Sequence, residues 1–584
     1  MYPRVKRVRR GEHQYEYLQL VEGHREDGKV RQRVVATLGR VDELKASGQL
    51  DRWAGSFARL DPPGIGTRRD VGPLMLVRHY LKCLGLAEVV DGVAPMRGRA
   101  QLTHGEVIAA LVANRLSAPS PLYDVAGWAS SAAVAELFDI PAALLNDDRL
   151  GRALEALAPV AEDVRGRLCL AAVERFGVVD ATRLHLDLTT VRFAGAHEGS
   201  SLVAKGWGSD RTVAHQVRTL QASTPEGVAV YFRPHKGSTG EVSALGQALE
   251  RLAALLAPGL VVVADSALGH LGNLCAADRA GVRFVVPLRA DTGWAKEFID
   301  DVGDLDALCD LDHVSQREQG LAPERRTRWR GVLRDLAVTD PATGADHDLR
   351  VAYIWSSEEA RSVAEGRERA LSKAEDTLAR VRNGLGGRYY KTLKQVDAKV
   401  AKTIGAKISA LLRVSTGTDD AGKPTLSWCR DTAAIAAAAR LDGLYALATN
   451  LAGPLSALEV LRVYKDQWIV EQRHRDLKQT LRVRPVFLHN DDRIDALVGV
   501  VGIALLVFGL IEADLRHRLD GATMSGLLPE GRAAKPTGRN VLSAFAGLGL
   551  TYTSRGPVLD RLTPTQRRIL ALLDIPLPWP EQAE

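Results

Sequence analysis

The chain has only five cysteines in 584 residues, Cys83, Cys169, Cys275, Cys309 and Cys429, and no two of them form a CxxC pair. That spacing argues against cysteine-based zinc modules and a disulfide scaffold alike, and it fits a reducing cytoplasm. No apolar signal segment follows the basic start MYPRVKRVRR, which argues against secretion. The only candidate membrane segment, ALVGVVGIALLVFGLI at 496–511, has Asp495, Glu512 and Asp514 close to its ends. It is shorter than the roughly 20 residues that a spanning helix needs, so it reads as a buried core helix of a soluble protein with no membrane partner.

What the chain does have is length and positive charge. At 584 residues and 46% hydrophobic content it exceeds a single core, so several domains are expected. Formal net charge is +6, and the first forty residues hold ten Lys or Arg against five acids. Such an arm suits nucleic acid, although a charge run also serves as a solvated face.

Along the chain, YEYLQLVEG and KVRQRVVATLG are strand-like runs around the turn HREDGK, so residues 1–60 read as a basic β-rich unit. Residues 61–180 read as a helical region, the candidate for DNA binding or dimerisation, because LMLVRHYLKCLGLAEVV and HGEVIAALVANRLS carry apolar residues at steps of three and four. The period then changes. In TRLHLDLTTVRF, Leu184, Leu186 and Leu188 alternate with His185, Asp187 and Thr189, a half-buried strand with Asp187 on its polar face. VAHQVRTLQAS and GVAVYFRPHKG follow around the hairpin turn TPEG, and EVSALGQALERLAALLA reads as a helix. LVVVADS is a strand of the kind buried on both faces, with Asp265 at its carboxyl end, where ligands of α/β sheets gather. A helix over LGNLCAADRAG and a strand over VRFVVPLR complete a β-β-β-α-β-α-β order for the first part of a mixed-sheet core, 181–290.

Residues 291–440 are expected to form an insertion domain, since a compact fold does not tolerate so long a structureless loop. The second part of the core, 441–520, resumes at GLYALATN, and a helical C-terminal region covers 521–584. Within that second part, YKDQWIVEQRHRDLK places Tyr464, Glu471 and Lys478 seven residues apart, beside Val463, Val470 and Leu477 at the same step. In one continuous helix a seven-residue step returns to within roughly 20° of its start, so each trio makes a stripe.

Asp187, Asp265 and Glu471 thus share a candidate site. Hard carboxylate oxygens hold Mg2+ or Mn2+ while leaving positions for water and phosphate oxygens, and two such ions promote phosphoryl transfer. Each signal is weak alone: a lone strand aspartate is most often a turn partner, and a lone helix glutamate is most often exposed. His185 has a bland reading as hydrogen-bonded scaffold, and His474 and His489 receive no role. Lys205, Arg211 and Lys236 either contact phosphate or are solvated.

With these residues in place, the chain resembles the DDE transposases of bacterial insertion sequences, in the group whose last acidic residue lies in a Tyr, Arg, Glu, Lys helix signature (the insertion sequence four superfamily). Tyr464, Glu471 and Lys478 match that signature and Gln467 stands at its arginine position. KVRQRVVATLGRVDEL, LHLDLTT, GVAVYF, VVVADSALGHLGNL, DGLYALATN and LTPTQRRILALLDI are similar to the same group's landmarks, so most of the chain is covered. The resemblance implies a ribonuclease H-like catalytic core interrupted by a large insertion domain, with a helical N-terminal region. It implies a catalytic and metal-holding triad of Asp187, Asp265 and Glu471 and a pair of Mg2+ or Mn2+ ions. Its partner would be double-stranded DNA, at element ends and target, held by a homodimer in the cytoplasm at the nucleoid.

Tyr464 and Lys478 inherit contacts to DNA phosphate, and Gln467 inherits a weaker one because it lacks charge and the guanidinium fork. Arg475 belongs to a basic set around the signature with Arg462, Lys465, Arg473, Arg482 and Arg484. Several relatives hold a flipped base on an aromatic residue of the insertion domain. Trp329, among Arg325, Arg326, Arg328 and Arg330, is the candidate here, against a bland reading as a part-buried tryptophan. The alternatives are a decayed copy or regulator that binds DNA without cutting, and a metal phosphatase or nuclease. The latter is disfavoured because the second aspartate of a phosphatase strand would fall at Thr189.

Overall fold

The computed structural model describes residues 2–582 except 11–12, 27–28, 48, 50–64, 97, 99–100, 196, 208–211, 241–242, 245–258 and 482–487. The expected helix at 241–257 therefore lies almost wholly outside the described residues, as do Arg211, Arg482 and Arg484. The chain divides into two compact units, one of residues 1–181, 187–239 and 469–584, the other of residues 182–186 and 240–468. Strand β1 (Arg183–Arg192) contributes its first residues to the second unit and the rest to the first.

In the first unit the basic start is itself a strand. Tyr2–Arg10 pairs antiparallel with His13–Glu26, which pairs antiparallel with Lys29–Arg40. Two strands were legible at the N-terminus, and the third adds the pairing that a hairpin lacks by itself. Helices Leu74–Leu84, His104–Ser117, Asp147–Leu157 and Ala161–Arg175 follow. The C-terminal region, expected to be helical, also holds a hairpin: Gly549–Thr553 pairs with Gly556–Leu559 and, on its other side, with Arg68–Asp70.

Strand β2 (Val213–Ser223) neighbours β1, pairs antiparallel with Ala204–Trp207 through its first residues and with β3 (Ala229–Lys236) through the rest. The turn joining β2 and β3 is the expected TPEG, closed by the Thr224 N–H to Val228 carbonyl bond at 2.9 Å, with Gly227 at φ +86°. The four helices, β2, β3 and the C-terminal hairpin share one apolar core, and its longest member is the helix Asp491–Arg518. The side chain of Asn490 caps that helix by accepting from the Arg493 N–H. Asp491 and Asp492 occupy its first turn and Arg516, His517 and Arg518 its last, each sign at the favourable end of the dipole. By length and composition it could cross a membrane, yet 94% of its apolar window is buried inside the protein. Gly509 lets it approach the β2–β3 turn: a Cβ there would stand 2.7 Å from the Gly227 carbonyl oxygen.

In the second unit the start of β1 pairs in parallel with β4 (Val261–Val263), which pairs in parallel with β5 (Arg283–Pro287). The segment 291–440, expected to be one insertion domain, is split by the sheet. Its strands β6 (Trp329–Thr339) and β7 (Asp346–Ser356) continue the core sheet, because β7 pairs with β8 (Leu444–Thr449), and β8 pairs with β5. Only the part after β7 builds a separate small core, in which Leu371, Leu378 and Val381 of helix Ser357–Asn383 pack with Leu412 and Leu426 of the hairpin Leu412–Thr418 and Pro424–Arg430.

The core role of the long helix is testable. Phe508 is 1% exposed within it, so Phe508→Ala is expected to destabilise the first unit by about 3–5 kcal/mol in urea unfolding. A loss below about 1 kcal/mol would mean that the helix is not the centre of that core.

Candidate active site

The parallel register of β1 and β4 fixes where two of the expected acids stand. The last paired positions are His185 and Val263, and two residues beyond each comes an aspartate, Asp187 and Asp265. The Asp187 side chain is 22% exposed; Oδ1 accepts the Leu188 N–H at 2.7 Å and Oδ2 lies 3.2 Å from His474 Nδ1. Asp265 is half-buried at the start of a turn, where Oδ1 accepts the Ala267 N–H at 3.0 Å. Leu184, His185 and Leu186 are all fully buried while Asp187 reaches partial solvent, so the expected alternation holds for the two leucines and the aspartate and fails at His185.

The expected seven-residue stripe does not run along one helix. Helix α1 (Ala457–Lys465), begun by a Ser456 and Glu459 capping box, stops at Lys465, and a turn at Asp466 and Gln467 separates it from α2 (Trp468–Arg475). Contacts to β1 hold that turn. Asp466 pairs with Arg183 at 3.4 Å, and Gln467 donates to the Leu186 carbonyl at 2.9 Å while its Oε1 lies 3.3 Å from His185 Nδ1. Gln467 therefore spends its amide inside the unit, which leaves it less to offer a phosphate. Burial lowers the His185 imidazole to about 4, keeping it neutral.

The apolar row parts in the same way: Val463 packs in the second unit's core, whereas Leu477 lies in the large core of the first. Beyond α2 the chain widens into a π turn, Asp476–Thr480, with Lys478 half-buried on it. Glu471 and Arg475 are exposed on α2, and among the described residues Glu471 makes no ion pair.

Between Glu471 and Arg475 lies Arg473, expected as part of a basic surface but only 2% exposed. Its guanidinium pairs with Glu512 at 2.9 Å and Asp476 at 3.0 Å and donates to the Gly227 carbonyl at 2.6 Å. The sequence held a signal for it: a glutamate at the end of a long apolar run needs a buried cation partner. His474 had no such signal, because only the packing of α2 brings it to Asp187.

Trp329 lies on β6 in the second unit, 7% exposed in a core cluster with Val460 and Leu461. The Lys465 ammonium stands 4.5 Å from the centre of its ring and 5.9 Å from that of Tyr464, and burial lowers its pKa. Trp329, Tyr445, Tyr464 and Lys465 line a cleft of about 1790 Å3 in that unit. A base stacking on Trp329 would have to displace Lys465.

Among the described residues no three His, Cys, Asp or Glu side chains are gathered as a formed metal cluster. The donors themselves suit a hard divalent cation, since all three acids offer carboxylate oxygens.

Residues 3–62 match a family described as the IS1634 family transposase, N-terminal domain, and residues 67–163 match a domain of unknown function. Residues 172–507, more than half of the chain, match the transposase DDE domain. No curated protein matches the chain.

The buried charge network should behave as one unit. Arg473→Met is expected to cost about 3–5 kcal/mol by removing the buried cation of Asp476 and leaving Glu512 with Arg516 as its remaining cation, and adding Glu512→Met should recover part of that loss. Additive losses in a double-mutant cycle would show that the two side chains are not coupled.

Proposed function

The chain belongs to the DDE transposases, as an IS1634 family transposase with a DDE catalytic domain, and from that premise we propose that it binds the terminal inverted repeats of its element and catalyses metal-dependent strand cleavage and strand transfer. The observation that carries this reading is the placement of Asp187 and Asp265 two residues past the paired ends of two parallel strands, within the span that matches the DDE domain. The antiparallel pairing of β2 with β3 in the first unit, and the parallel pairing of the start of β1 with β4 and of β4 with β5 in the second, support a ribonuclease H-like core.

Asp187, Asp265 and Glu471 would hold a pair of Mg2+ or Mn2+ ions, which when bound activate the attacking oxygen and stabilise the leaving one. The protein's own contribution is positioning and charge. His474 and the Leu188 N–H fix the two oxygens of Asp187. The network of Arg473 anchors α2 from inside, so that Glu471 stays on its exposed side. Tyr464, Lys478 and Arg475 are the candidate phosphate contacts. Two copies of the chain would join two ends in one complex, and the cytoplasm at the nucleoid is the place for that work.

A second reading, a DNA-binding descendant that no longer cuts, draws on Gln467, whose amide is engaged with β1 where the family signature has arginine. Cleavage of a labelled DNA carrying the element's ends, in Mg2+ or Mn2+, separates the two. Under the main reading Glu471→Ala and Asp265→Ala each abolish cutting and leave end binding nearly intact. Binding with no cutting by the intact chain would establish the second reading. Lys478→Ala is expected to weaken binding and to reduce the slope of log affinity against log salt by about 1; an unchanged slope would remove Lys478 from the phosphate contacts.

A further inference from the structure

A buried arginine in the first unit has no acid to answer it. Arg115 stands in the last turn of the helix His104–Ser117 and is 8% exposed. Its Nη2 donates to the Ser120 carbonyl at 3.0 Å, its Nε is buried without a hydrogen-bond partner, and among the described residues it makes no ion pair. Burial alone lowers its pKa, to about 10, so the guanidinium is still charged at neutral pH with no carboxylate opposing the desolvation. Arg473, the buried arginine of α2, has two carboxylates. A lone buried charge is costly, and a cavity beside Arg115 offers the place for an anion.

That cavity, of about 260 Å3, is bordered by Arg115, Trp128, Thr480 and Arg539 and by the chain from Asp70 to Leu74. We propose that it binds a single phosphate group, held by Arg115 and Arg539 at the start of the helix Leu74–Leu84. That the phosphate belongs to the backbone of bound DNA rests on the transposase reading. The size suits one group, since it lies below the roughly 300–1,000 Å3 of pockets that enclose drug-sized ligands.

The surroundings favour negative charge. The N-cap of the helix Leu74–Leu84, Pro73, supplies no side-chain hydrogen bond, so the positive end of the helix dipole is left open beside the cavity. Arg539, with its side chain 54% exposed, donates to the Thr480 hydroxyl from Nη2 at 3.0 Å and from Nε at 3.2 Å. Those bonds hold its guanidinium on the cavity wall with donors to spare. Asp70 is the one acid among the lining residues; burial raises its pKa, and its carboxylate is turned to the Gly72 N–H. Thr480 ends the π turn that carries Lys478, so the cavity adjoins the turn of a candidate phosphate contact. Arg115 and the helix start fall within residues 67–163, the match to a domain of unknown function. That domain would thereby grip the DNA backbone, a contact that sets position and reads no bases.

The test uses the full chain in two arms: a thermal melt with inorganic phosphate, and binding of a labelled duplex carrying the element's ends. Inorganic phosphate is expected to raise the melting midpoint of the intact chain and not that of Arg115→Gln, a change that strands no carboxylate. Arg115→Gln should weaken duplex binding by at least about tenfold and lower the slope of log affinity against log salt by about 1. Arg539→Gln, at a more exposed position, should lower the slope in the same way and decides the matter if Arg115→Gln does not fold. A lowered slope without a phosphate effect on melting supports the site and confines it to DNA. A phosphate effect with an unchanged slope supports the site and assigns it to a free phosphate. Absence of both effects would overturn the proposal. Should the intact chain bind no duplex, the transposase reading fails by itself, and the phosphate melt still decides the cavity.

Discussion

A carboxylate at the end of an apolar helix governs much of the first unit. Glu512 is 1% exposed, and a charge so placed persists only with a full set of partners. Arg473 and Arg516 supply cations, and the Gly538 N–H supplies a further donor at 2.8 Å. Because Arg473 also reaches Asp476 and the Gly227 carbonyl, meeting the needs of Glu512 fixes the end of α2, the π turn and the β2–β3 turn together. The exposed position of Glu471, two residues before Arg473, follows from that anchoring.

A second constraint acts on the preceding segment. The turn at Asp466 and Gln467 is tied to Arg183, His185 and the Leu186 carbonyl, so α1 ends where those contacts begin. Tyr464 then belongs to the aromatic group around Lys465, with Trp329 and Tyr445, and Glu471 belongs to the helix held by Arg473. Residues read as one stripe in the sequence are governed by two sets of contacts.

Much of the fold was nonetheless legible. The alternation in TRLHLDLTTVRF, the apolar run LVVVADS, the TPEG turn and the apolar stretch at 496–511 all carry their periods locally, and the corresponding strands, turn and helix are present. What escaped were features whose partners lie far along the chain. ERRTRWRGVLRD becomes sheet rather than insertion because β7 and β8 offer it edges to follow. The hydrogen bond that ends α1 spans 281 residues.

The sequence by itself determined many of the elements, an aspartate within one strand and another at the carboxyl end of a second, and the family signature, because hydrophobic period, turn chemistry and motif spacing are properties of neighbouring residues. Only the tertiary structure decided which basic residues serve as core and which face solvent, as with Arg473 against Arg475, and where the signature segment breaks. Those outcomes depend on desolvation and on hydrogen-bond partners supplied by distant strands and helices, and these exist only once the chain has packed.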